Sequence, residues 1–345
     1  MAPGASPPFL QACLRRPVPF TPIWLMRQAG RYMPEYRAVR ARLGFLELCK
    51  SPEAAAEVTL QPVERLGVDA AILFADILLV LEPLGVGLEF TRGDGPRIGR
   101  PVRSSQAARA LPQIDVDDAL GFVYETVARA RKALADRVPL IGFAGAPFTL
   151  ASYLIEGGPS REFLLTKAFM RREPEAWAVM MTRLADVTAD YLNGQIGAGV
   201  QAVQLFDSWV GALSPADYRA YVLPHSRRVI RALRPGVPVI HFGVGTGGLL
   251  ALMREAGGDV IGLDWRVELG PTWARLGHDV AVQGNLDPAV LLADVGAIRL
   301  AAREILDGAA GRPGHVFNLG HGVHKETPVE HVRALVDIVH EMSAR

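Results

Sequence analysis

Eight short apolar runs, separated by helical patterns, constrain this chain more than any other feature: Pro22–Met26, Ala70–Phe74, Pro139–Phe143, Ala202–Phe206, Pro238–Phe242, Asp259–Leu263, Asp279–Val282 and His315–Leu319. Each is too short for a helix and almost wholly apolar, as expected of strands buried on both faces of a parallel sheet. Between the first two runs, Ser51, Pro52 and Glu53 read as the N-cap, first-turn proline and first-turn acid of a helix that ends at Gly67, with Pro62 as a kink. Further helices are expected over Glu175–Gly194, Pro215–Arg234, Pro288–Asp307 and Pro328–Met342. Eight alternations of strand and helix predict an α/β fold of the (β/α)8 TIM barrel type. The expected organisation is a single domain over residues 1–345, with an N-terminal arm at 1–20 and insertions in the first half. Val86–Val102 reads as a hairpin around Gly93-Asp94-Gly95, and Ile155–Phe169 as an inserted loop and helix. An open doubly wound sheet would need fewer strands and usually a glycine-rich first turn, which the sequence lacks.

A 345-residue chain that is half hydrophobic can bury most of its apolar surface without cross-links. Its net charge of +1 gives no global field for nucleic acid or a membrane surface, so any anion must be gripped by local placement. Lysine occurs only at Lys50, Lys132, Lys167 and Lys325; the other cations are arginines. That suits bidentate carboxylate recognition, and equally a coding bias. Cys13 and Cys49 form no CxxC pair, which argues against a disulfide framework or thiolate metal site and fits a reducing cytoplasm. The start, MAPGASPPFLQACLRR, does not read as a signal peptide, and no apolar stretch is long enough for a membrane span.

Barrel active sites form where strands end. After the first run come Arg27, Gln28, Ala29, Gly30 and Arg31; after the second, Asp76; after the third, Thr149 and then Tyr153; after the fourth, Asp207 and Ser208; after the eighth, His321 between two glycines. Gly243, Asp264 and Asn285 follow the intermediate runs. Met26, Phe74, Phe143 and Phe206 offer an apolar wall. Arg27 and Arg31 would share a face if the backbone turned helical there, and on position alone each also reads as a surface or ion-paired arginine, with Glu35 or Glu47 as partner. Asp76 alone reads as well as a helix cap, and Asp207 as a supporting or loop acid. No GxSxG, HExxH or GxxxxGK[ST] motif occurs, which disfavours a serine hydrolase, a zincin and a phosphate loop.

These residues resemble the uroporphyrinogen decarboxylase family. The resemblance rests on PIWLMRQAGRYMPEYR (22–37), FADIL (74–78), GFAGAPFTLASYLIEGG (142–158), LFDSWVG (205–211) and FNLGHGVHKETPVEHV (317–332), in that order along the chain. It implies a homodimeric barrel that converts the four acetate side chains of uroporphyrinogen III to methyls, without metal or organic cofactor. It implies Asp76, Arg27, Tyr153 and His321 as catalytic residues. Substrate would contact Arg27, Gln28, Ala29, Gly30, Arg31, Asp76, Tyr153, Ser208 and His321, walled by Phe74, Phe143 and Phe206. Asp76 would sit at the macrocycle centre, and Arg27 would bind a carboxylate and act as a proposed proton donor. Two other readings stand beside it. One is a zinc-thiolate methyltransferase of the same superfamily, disfavoured because both cysteines precede residue 50. The other is a tetrapyrrole carrier without activity.

Overall fold

A computed structural model describes residues 6–91 and 95–345. Seven strands form one curled, all-parallel sheet: β1 (Ala71–Ile72), β4 (Leu140–Gly145), β5 (Ala202–Asp207), β6 (Val239–Gly243), β7 (Val260–Gly262), β8 (Ala281–Gln283) and β9 (His315–Val316), in that order. A separate antiparallel hairpin pairs β2 (Leu88–Thr91) with β3 (Gly95–Ile98), the excursion expected from Val86–Val102. Gly93 and Asp94 of its turn lie outside the described residues.

The first apolar run does not become a strand. Ile23 makes a single parallel bridge to Phe317, and its carbonyl accepts the Asp69 N–H at 2.8 Å. Beyond that point side chains take over the ladder: Leu25 N–H donates to Gln28 Oε1 (3.0 Å) and Met26 N–H to Asn318 Oδ1 (3.1 Å). The backbone groups are satisfied, as burial requires, but not by a neighbouring strand. β9 is cut short at the same place, since Asn318 Oδ1 also accepts from Leu319 N–H.

One cluster gathers a buried residue from each of the eight runs or its immediate flank: Trp24, Ala70, Ile141, Ala202, Ile240, Val260, Ala281 and Val316. Phe9, Ala12 and Cys13 of the helix Pro8–Cys13 join the same cluster, so this N-terminal segment packs against the sheet. A chain of buried polar groups crosses the interior: Trp24 Nε1 donates to Gln283 (2.9 Å), Gln283 to Gln204 (3.0 Å), and Gln204 to the Met26 sulfur (3.7 Å).

The helix Pro52–Leu66 starts under the Ser51 hydroxyl, ends at Gly67 with φ 73°, and continues past Pro62. Pro215–Arg234 is two helices, Pro215–Tyr221 and Leu223–Ala232. Pro224 lacks an N–H and its ring cannot pass the carbonyl a turn earlier, so the backbone breaks at Val222. The pattern from Pro288 likewise splits into a short 3-10 turn, Pro288–Leu292, and a helix Val295–Ala309 capped by Asp294. Glu175–Gly194 lies within the helix Pro174–Ala198, and the last helix is Val329–Ser343. The helix expected in the Ile155–Phe169 insertion is Leu164–Arg172, running three residues past it, while Ile155 and Glu156 end the helix Pro147–Glu156. Among the described residues, no helix is long and apolar enough to cross a membrane.

Candidate active site

Of the residues singled out in the sequence, Arg27, Asp76, Tyr153 and His321 lie within reach of one another's charge. Arg27 sits in a turn, not a helix, and holds φ at 60°. A left-handed conformation costs a non-glycine residue about 1–2 kcal/mol. Surrounding bonds hold it there. The buried Gln28 amide bridges Leu25 N–H and the Ala70 carbonyl (3.1 Å), and Tyr32 Oη donates to the Gln28 carbonyl (2.6 Å). Arg37 Nη1 donates to the carbonyls of Arg31 and Tyr32, both at 2.9 Å. Gln28 was expected to touch substrate; its side chain is instead turned inward and spent on the backbone.

The turn also corrects the shared helical face expected for Arg27 and Arg31. What it leaves is two exposed guanidinium groups with no hydrogen bond or ion pair from the described residues. Glu35 pairs with Arg65 (3.7 Å), and Glu47 accepts from Gly44 N–H (3.0 Å), so neither neutralises them. Ala29 and Gly30 are partly exposed between the two arginines. The Arg27 side chain lies against Gly322, where a Cβ would come within 2.3 Å of Arg27 Cδ.

Asp76 is partly buried. Its Oδ1 accepts the Leu78 N–H at 2.9 Å across a turn, and it does not cap the next helical turn, Leu79–Leu84, which starts from Leu78 with no side-chain cap; Oδ2 takes nothing from the described residues. Burial raises its pKa to about 6, against the Leu78 hydrogen bond and the positive charge of Arg27. Phe74, two residues earlier, is set by Thr59, whose hydroxyl accepts the Phe74 N–H (2.9 Å) while donating to the Ala55 carbonyl (2.8 Å).

Tyr153, on the helix Pro147–Glu156, stacks on Trp209 with centroids 3.9 Å apart. Burial and the charge of Asp76 push its pKa up, and Arg27 opposes them. The phenol therefore stays protonated and can donate. His321 is lowered to about 4 by burial first, then by Arg27 and His324, so its ring is neutral near pH 7. Asp76, Tyr153 and His321 thus all respond to the one charge of Arg27, which places the four in a common electrostatic neighbourhood. Ser208 follows β5 in a partly exposed turn, its hydroxyl without a partner among the described residues.

The aromatic wall divides. Phe143 meets Phe206 edge to face at 5.5 Å, and Phe206 meets Phe242 at 6.0 Å. Phe74 meets Tyr36 and Phe45 at 5.7 and 6.1 Å. Phe143 is clamped from outside by Gln195, whose amide accepts its N–H (2.9 Å) and donates to its carbonyl (3.0 Å).

Asp207 is fully buried, near Thr149 (3.5 Å), Ser226 (3.4 Å) and His241 (3.7 Å), and burial raises its pKa. Its Thr149 neighbour also accepts the backbone N–H of Trp209, on which Tyr153 stacks. Trp265 and Arg266 lie beside His321 but were not among the expected site residues, and Trp209, which follows the fourth run, was given no role. Their signal was their place two or three residues after an apolar run.

The family model described as "Uroporphyrinogen decarboxylase (URO-D)" matches residues 5–342. A uroporphyrinogen decarboxylase of Carboxydothermus hydrogenoformans is 56% identical, covering 97% of this chain and 96% of its own. One of Sorangium cellulosum is 55% identical, covering 97% and 96%. Among solved structures, a methyltransferase from Methanosarcina mazei superposes with a TM-score of 0.79 at 20% identity over 97% of both chains, a likeness of fold.

Proposed function

The chain belongs to the uroporphyrinogen decarboxylase family, and we propose that it decarboxylates the four acetate side chains of uroporphyrinogen III, giving coproporphyrinogen III and carbon dioxide. The observation that carries the reading is the grouping, within reach of one another's charge, of one ionisable carboxylate, one unpaired arginine, one protonated phenol and one neutral imidazole.

Each group has a chemical task. Arg27 and Arg31, free of protein partners, bind rim carboxylates through charge-assisted bonds. Asp76, with Oδ2 uncommitted, accepts pyrrole N–H groups. Protonation of a pyrrole carbon makes the ring cationic, and the electrons released as carbon dioxide leaves flow into that cation. A second proton then completes the methyl group, and the proton first placed on the ring carbon leaves to restore the pyrrole, so each carbon dioxide lost takes up one net proton. A fixed carboxylate beside the developing charge lowers the barrier without rearranging. The reduced macrocycle is its own electron sink, so this reading needs no organic cofactor or metal. In this reading Arg27 binds the reacting carboxylate and serves as the proton donor, and Tyr153 and His321 orient the acetate as donors. The wall of Phe143 and Phe206 faces the rings.

Several finer points belong to the same reading. Ile23, held between Phe317 and Asp69, closes the curled sheet into an eight-part TIM barrel, one domain over 1–345. The enzyme works as a homodimer in the cytoplasm. The methyltransferase alternative is weakened because Cys13 and Cys49 are both buried in helices, where burial raises their thiol pKa and keeps them protonated. The decisive experiment is anaerobic incubation with uroporphyrinogen III, followed by oxidation and chromatography of the porphyrins. Successive loss of carboxyl groups supports the enzyme; binding with the octacarboxylate intact supports the carrier.

A further inference from the structure

After β7 the chain runs along the mouth as Leu263-Asp264-Trp265-Arg266-Val267. Asp264 is buried, and its carboxylate accepts from the Gly245 N–H, the Arg266 N–H (3.0 Å) and Arg266 Nη1 (2.9 Å). Asn285 donates to the carbonyls of Asp264 (2.8 Å) and Val267 (2.6 Å), so the backbone is pinned on both sides of Arg266.

The Arg266 guanidinium lies 3.8 Å from the centre of the Trp265 ring. The same ring meets His321 edge to face, at 6.1 Å and 86°. Gly320 is packed so tightly that a Cβ there would fall 2.2 Å from Trp265 N, which locks the loops after β7 and β9 together. Arg266 is therefore held in place while its side chain remains 52% exposed. Asp264 takes one guanidinium bond, and the remaining donors have no partner among the described residues. Arg27 and Arg266 are both near enough to add to burial in holding the His321 ring neutral.

We propose that Arg266, fixed on the Trp265 ring, forms a carboxylate subsite beside His321, where a rim carboxylate of the tetrapyrrole docks and sets affinity rather than the rate of carbon–carbon cleavage. This rests on the functional reading above. A pair serving stability alone would need neither the ring nor the exposure. Arg is suited to the task because its planar fork stays charged and stacks while binding an anion.

The test compares wild type, Arg266→Met and Arg266→Lys. Methionine keeps an unbranched stem over Trp265. The first readout is the Kd for uroporphyrin III, the oxidised octacarboxylate, measured by fluorescence; this probe is aromatic and cannot act as the electron sink. The second is KM and kcat on the reduced substrate. The subsite predicts that Arg266→Met raises Kd and KM at least about tenfold with kcat within about twofold, and that Arg266→Lys falls between. Unchanged Kd and KM, with or without a lower melting temperature, would overturn it. A wild type that binds the porphyrin but releases no carbon dioxide would sink the decarboxylase reading, while the Kd series would still decide the subsite.

Discussion

Gly322→Ala tests whether the position of Arg27 matters. A methyl at residue 322 would lie 2.3 Å from Arg27 Cδ, 2.6 Å from Cγ and 3.0 Å from Nε. These are stem atoms, so the guanidinium cannot escape by swinging its tip; the side chain must leave its rotamer. The φ of Gly322 is outside the left-handed region, so alanine adds no backbone strain and the fold should lose less than about 1 kcal/mol. The loss should fall on substrate. A hydrogen bond to a charged group contributes about 1.5–3 kcal/mol, which converts to roughly a 10- to 150-fold fall in kcat/KM. Arg27→Ala should lose at least as much, and adding Gly322→Ala to it should change little more, because both act through the same guanidinium. The assay is steady-state decarboxylation, with circular dichroism to establish folding. A folded Gly322→Ala with wild-type kcat/KM, or two penalties that simply add, would refute the placement of Arg27.

Asp76 should set an acid limb in kcat/KM with an inflection near its pKa of about 6, since activity needs the carboxylate; Asp76→Asn should abolish that limb. The stability sign is opposite. Folding raises this pKa, so the native state pays for the charged form as pH rises from ~4 through about 6, and Asp76→Asn should gain stability relative to wild type across that window in urea titrations. Tyr153→Phe keeps the stack on Trp209 and should fold normally while losing about tenfold in kcat/KM, the upper range of one neutral hydrogen bond; unchanged kinetics would remove the hydroxyl from the mechanism. Gln28→Leu should lower unfolding free energy by about 1–3 kcal/mol, because it leaves Leu25 N–H and the Ala70 carbonyl buried without partners; an unchanged denaturation midpoint would contradict the inward placement of this amide.

Much of the fold was legible because parallel strands buried on both faces leave continuous apolar runs, and seven of the eight became strands within a few residues of their expected places. The exception, Pro22–Met26, is apolar for the same reason but has its backbone met by Gln28 and Asn318, partners distant or unpredictable from hydrophobic pattern. Helix ends were legible at Ser51 and Gly67, where capping is local, whereas the break at Val222 needed closer attention to Pro224. At the site, ionisable residues just past strand ends were readable as candidates. Their burial was not: Asp207 and Ser208 are adjacent in sequence, yet one faces a buried histidine and the other a partly exposed turn. Gln28 was misread because a polar residue in a mouth loop looks available until its amide is seen bridging two backbone groups. Arg266 carried no signal of its own, since the ring and the carboxylate that fix it become meaningful only as contacts.

The central claim is that the anion of Asp76 stabilises the cation formed when a pyrrole carbon is protonated. Single-turnover decarboxylation by Asp76→Asn under anaerobic conditions tests it most directly, with uroporphyrin binding measured on the same preparation. The account predicts near-normal folding, Kd within about tenfold of wild type, and a decarboxylation rate lower by about 10²–10³, the scale of losing one preorganised electrostatic contact. A variant that binds the porphyrin and releases carbon dioxide at the wild-type rate would contradict it.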